Sequence, residues 1–175
     1  MTTETIIESG MSFGPFSDGH CFYIEKSQTL KDINKHEGIR IAEFLLLNTE
    51  NNRTVVSIVE AKTSSPQPKS HENYASYINE IKEKLTNSLA LFVSFNLQRY
   101  PAGHAELPDN FKQLQIANIH FELILVVKNS KSEWLIPLSD DLKKALKPTV
   151  KIWNLSPTSV KVFNEEEAKV KKLVS

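Results

Sequence analysis

The chain contains a single cysteine, Cys21. One thiol forms no internal disulfide and builds no multi-cysteine metal centre, so a disulfide-stapled fold and a zinc ribbon are excluded and a reducing compartment is expected. Inside the apolar run Cys21-Phe22-Tyr23-Ile24 it reads as a small core side chain. Long apolar runs are also missing, and the opening residues Met1-Thr2-Thr3-Glu4-Thr5 carry neither the basic nor the apolar region of a secretion signal. The expectation is a cytoplasmic protein with no membrane partner. Nor does one sign of charge dominate, since 21 basic residues face 21 acidic ones. A surface that holds nucleic acid unaided usually carries a basic excess, so affinity for phosphate would have to come from a local basic strip or from a second protein. There is no glycine-rich phosphate loop and no dinucleotide fingerprint. The five histidines, His20, His36, His71, His104 and His120, lack ligand spacing; only His71 falls near the segment that carries chemistry.

Glycine is scarce, and three of the five glycines, Gly10, Gly14 and Gly19, crowd beside Pro15, which predicts an irregular loop over residues 9–20. A strand is expected over residues 21–26 and a short helix over 27–35 capped by Ser27. Residues 39–47 and 54–62 are apolar, β-compatible runs separated by a polar turn, and they predict a β-hairpin. From residue 71 to about 97, apolar side chains recur at Tyr74, Tyr77, Ile78, Ile81, Leu85, Leu89 and Phe92, the spacing of an amphipathic helix whose far face would carry Glu80, Lys82, Glu83 and Lys84. A loop over 99–112 and a buried strand over 120–128 follow, giving a strand-helix-strand crossover. Further on, a helix beginning at Ser139 and stopping before Pro148, strands over 149–155 and 159–163, and a last helix capped by Asn164 complete the reading. At 175 residues this describes a single α/β domain, residues 1–175, with a central mixed β-sheet flanked by helices. Its core would span about residues 21–128 and a C-terminal extension about 138–175.

The chemistry concentrates on the hairpin. If Asn51 and Asn52 are the central turn residues, Glu43 pairs with Glu60 across the strands. By strand alternation Glu43 shares a face with Ile41 and Leu45, and Glu60 with Val56 and Ile58, so both acids interrupt an apolar face. Opposed like charges repel, and a buried carboxylate costs several kcal/mol unless it is paired or bound to metal. A divalent cation, Mg²⁺ or Mn²⁺, is the simplest compensation. Lys62, two residues beyond Glu60, shares its face and stands where it can act on an attacking water or on transition-state charge at phosphate.

An acid on the first hairpin strand followed by Val55-Val56-Ser57-Ile58-Val59-Glu60-Ala61-Lys62 resembles the core of the PD-(D/E)xK, or restriction-endonuclease-like, nuclease superfamily. The family's first acid is usually aspartate after proline, whereas Glu43 follows Ala42. The resemblance implies a restriction-endonuclease-like core and a Mg²⁺- or Mn²⁺-dependent phosphodiesterase acting on DNA or RNA. In it Glu43 and Glu60 would be metal ligands and Lys62 would sit near the nucleophile. Many members carry a further acid upstream, a place for which Glu25 and Asp32 are available. The alternative is a catalytically inactive nuclease-fold subunit that binds protein or nucleic acid within a larger complex. With no net charge to attract phosphate, a homodimer or a partner subunit is expected, and Val150, Ile152, Val160, Val162 and Phe163 form the candidate surface.

Overall fold

Apolar alternation begins earlier than the glycines imply. A computed structural model describes residues 3–175; Met1 and Thr2 of the opening stretch lie outside the described residues. In place of the loop expected over 9–20, β1 (Thr3–Glu8) and β2 (Met11–Ser17) pair as an antiparallel hairpin. Ser9 and Gly10 form its tip with φ of 50° and 73°, the left-handed pair that suits a twisted two-residue turn. Gly14, at φ 99°, lies beside a register shift, and a Cβ there would stand 2.8 Å from the Glu4 carbonyl oxygen. Glycine here permits close strand pairing and does not mark a loop.

The strand β3 (Cys21–Phe22) is shorter than expected because a 3-10 turn, Ile24–Lys26, takes over at once. Helix α1 (Gln28–Ile33) follows, and the Ser27 hydroxyl caps it by accepting from the Leu30 N–H. Next come β4 (Phe44–Glu50), β5 (Arg53–Lys62) and the long helix α2 (His71–Asn96). The loop expected over 99–112 contains two short helices, α3 (Pro101–Glu106) and α4 (Asp109–Lys112). Glu106 explains part of this order: its carboxylate accepts from the N–H groups of Gln28 and Thr29 at 2.7 and 2.8 Å and from the Thr29 hydroxyl, closing the N-terminus of α1. The chain ends through β6 (His120–Val127), α5 (Ser132–Ile152), β7 (Val160–Asn164) and α6 (Glu165–Val170). Asn164 and Glu167 form a capping box at the start of α6.

Helix α5 corrects two expectations at once, since it starts well before Ser139 and runs through Pro137 and Pro148 into the segment expected as a strand. A proline inside a helix costs roughly 3 kcal/mol. Leu135, Leu138, Leu142, Leu146 and Thr149 are all buried at helical spacing, and burying each leucine returns about 1.5–3 kcal/mol, so packing prevails.

The five strands lie in the order β3-β4-β5-β6-β7, antiparallel through β5 and parallel from there on. The protein is thus α/β, with a central mixed sheet flanked by helices. One face, with Leu45, Leu47, Val56 and Ile58, packs on Ile81, Leu85 and Leu89 of α2 and Leu142 and Leu146 of α5. The other, with Phe44, Leu46, Val59 and Ala61, packs on Ile6, Met11 and Phe13 of the hairpin and on Ala168 of α6. Residues 138–175, expected as a C-terminal extension, supply β7, α6 and most of α5 to the same sheet and core. Among the described residues no helix is long and apolar enough to cross a membrane.

Candidate active site

The β4–β5 turn sets the register. Asn51 and Asn52 take φ of 48° and 59°, as a type I′ turn requires, and the ladder pairs Phe44 with Val59 and Leu45 with Ile58. At Glu43 the chain leaves the ladder. Residues 39–43, expected as strand, bond mainly to side chains: Asn34 holds both backbone groups of Ile39, and the Ala42 N–H donates to the Ser88 hydroxyl at 2.8 Å. A last backbone bond, Glu43 N–H to the Val59 carbonyl at 3.1 Å, keeps Glu43 beside the end of β5.

Glu43 and Glu60 lie on the α2 side of the sheet, and their side chains are 9% and 0% exposed. Both face Lys84, whose Nζ is 2.9 Å from Glu60 Oε1 and 3.9 Å from Glu43 Oε1. Lys62 Nζ is 3.4 Å from Glu60 Oε1 and 2.6 Å from Glu80 Oε1. Glu80 and Lys84, expected on the far face of α2, therefore turn towards β5, while Glu83 alone of that acid pair points away to Arg40, 3.3 Å distant. Lys84 follows the fully buried Ile81 by three residues and precedes the fully buried Ser88 by four, so it borders the buried stripe and its long stem reaches the carboxylates. Ser88 fixes this arrangement by donating to the Lys84 carbonyl at 2.7 Å while accepting from Ala42.

Of the upstream acids, Glu25 joins the site and Asp32 does not. The Glu25 N–H donates to the Glu43 carbonyl at 3.3 Å, which brings the Glu25 carboxyl beside that of Glu43; Asp32 is exposed and bonds Gln28. Burial, the adjoining Glu25 carboxyl and the charge of Glu60 push the Glu43 pKa up to about 9. Burial also raises Glu60, against the opposing pull of Lys84 and Lys62. The Lys62 hydrogen bond holds Glu80 below the usual carboxylate range. Desolvation alone would lower Lys84, but Glu60, Glu43 and Glu25 together outweigh it and raise its pKa.

Three buried polar atoms here have no hydrogen-bond partner: Glu43 Oε2, Glu60 Oε2 and the Tyr77 hydroxyl. The two orphaned carboxylate oxygens are hard donors of the kind that Mg²⁺ or Mn²⁺ takes. Among the described residues no three His, Cys, Asp or Glu side chains are grouped so that together they could hold a metal ion. Elsewhere, Cys21 is buried and its thiol pKa is pushed up to about 12 by that burial. Trp153 packs on Phe121 with ring centroids 6.3 Å apart.

The sequence matches no protein-family model and no curated protein. Among solved structures it is similar to the restriction endonuclease FokI, at 16% identity and a TM-score of 0.41, over 77% of this chain and 20% of that one. This chain thus spans about a fifth of that protein's length.

Proposed function

We propose that this chain is a restriction-endonuclease-like, divalent-metal-dependent nuclease that hydrolyses phosphodiester bonds of DNA or RNA. The observation that carries the reading is the convergence of Glu43 and Glu60 on one side of the sheet, each with a buried oxygen that has no partner, beside Lys62 at the end of β5. Glu43 and Glu60 would hold Mg²⁺ or Mn²⁺. When bound, such an ion supplies Lewis acidity towards phosphate and an attacking water. Lys62, a quarter exposed, is the cation able to leave Glu80 and meet a phosphate oxygen from solvent. Glu60 holds its place from the central strand and Glu43 from the bend, and Tyr77, whose pKa burial raises further, stays protonated.

The test is cleavage of plasmid DNA and of single-stranded RNA by purified protein in Mg²⁺ or Mn²⁺. Cleavage that stops with EDTA and with Lys62→Ala supports the reading; cleavage that persists in either removes it.

A second reading, a catalytically inactive subunit with the same fold, draws on the raised pKa of Glu43 and on the Lys84 ammonium already compensating Glu60. It expects no calorimetric heat of metal binding at millimolar Mn²⁺ and no cleavage.

A further inference from the structure

We infer that Lys84 is a tethered counter-cation that occupies part of the charge position between Glu43 and Glu60 and competes with a divalent ion for them. The inference rests on the reading of those two acids as metal ligands. It starts from burial: Glu60 is fully buried and Glu43 nearly so, and each needs a cation nearby to remain ionised. Lys84 meets that need only in part. Its ammonium makes a hydrogen bond to Glu60, reaches Glu43 only as an ion pair at 3.9 Å, and leaves the second oxygen of each acid unpartnered.

The position is built and not adventitious. Ser88, fully buried, ties the Lys84 backbone to Ala42, the residue before Glu43, so helix and bend are held in one register. Only 14% of the Lys84 side chain is exposed, which limits how far its ammonium can withdraw. A divalent ion reaching the free oxygens would therefore stand close to a fixed positive charge, where repulsion in a half-buried setting is strong. The sequence alone conceals this, because Lys84 reads as one of several solvated charges on α2.

The experiment is isothermal calorimetry with Mn²⁺ on the full chain, paired with thermal melts. Lys84→Met keeps the stem and removes the charge; it is expected to bind Mn²⁺ about tenfold more tightly than the wild type, to melt lower without metal, and to gain more from added metal. Lys84→Arg keeps the charge and is expected to stay within about threefold of the wild-type dissociation constant. Mn²⁺ binding by Lys84→Met alone also supports competition. If the wild type binds and Lys84→Met binds no more tightly, the inference falls and the nuclease reading stands. A Lys84→Met chain that stays unfolded even in saturating Mn²⁺ overturns it too, because the ion should replace the ammonium. Binding by none of the three chains overturns both.

Discussion

Lys62 and Lys84 reach the same Glu60 oxygen from different elements, and their environments predict different consequences of removing them. Lys62 is the more exposed, and its ion pair with Glu80 is of the kind that adds at most about 1 kcal/mol to stability. Lys62→Ala should therefore shift the melting midpoint by no more than about 3 °C while lowering single-turnover cleavage by about a hundredfold or more. Circular dichroism melts and a gel assay on the same preparation separate the two effects. Cys21 offers a simpler check on burial. A native thiol that is buried, with its pKa raised to about 12, should resist an aromatic disulfide reagent at neutral pH and react fully in denaturant.

At the scale of elements, Ser88 and Glu106 are small parts that hold larger ones. Ser88→Ala leaves the buried Ala42 N–H without its acceptor, which costs about 1–3 kcal/mol. The melting midpoint should fall by about 3–8 °C, and metal binding should weaken as Glu43 loses its anchor. For Glu106, burial alone would raise the pKa, but the bonds from Thr29 and Gln28 outweigh it and hold the carboxylate low. The folded state thus binds fewer protons than the unfolded state, so stability from this contact is present above the ordinary glutamate pKa and is lost as pH falls through the depressed folded value. Glu106→Gln should flatten that part of the acid-unfolding curve, as followed by tryptophan fluorescence. These contacts also show what pattern reading reaches. The β4–β5 register, the long α2 stripe and the Asn164 cap are local, encoded by turn residues, helical spacing and capping chemistry, and were legible. The β1–β2 hairpin was hidden because Gly10 and Gly14 serve a tight turn and a bulge, which look like loop composition. Helix α5 was hidden because five buried side chains outweigh two prolines. At the candidate site, the shared face of Glu43, Glu60 and Lys62 was legible from strand alternation, whereas the approach of Lys84 and Glu80 was not, since a long charged side chain at the border of a buried stripe can point either way.

For the whole molecule, adding Mn²⁺ at about 100 times its dissociation constant should stabilise the fold by about 2.7 kcal/mol, a rise of about 5–10 °C in the midpoint, if the ion binds the folded state alone. The balance of 21 positive and 21 negative side chains gives little general pull on phosphate, so light scattering is expected to show a homodimer, or a native extract to yield a stoichiometric partner. Of the proposed contact surface, Ile152 is 80% exposed, whereas Val160 lies in the core and Val162 and Phe163 are partly covered, which places the apolar part of that surface on the end of α5. A last consequence follows from strand order. Strand β5 is the middle strand of five and is covered on both faces, so the amides from Val56 to Ala61 should be among the slowest in the protein to exchange with deuterium. Residues 41–43 lie outside the ladder and should exchange sooner. The two carboxylates then differ in compliance, Glu60 standing as a fixed jaw and Glu43 as a movable one, and under the proposed function adjustment to ions of different radius would fall on Glu43.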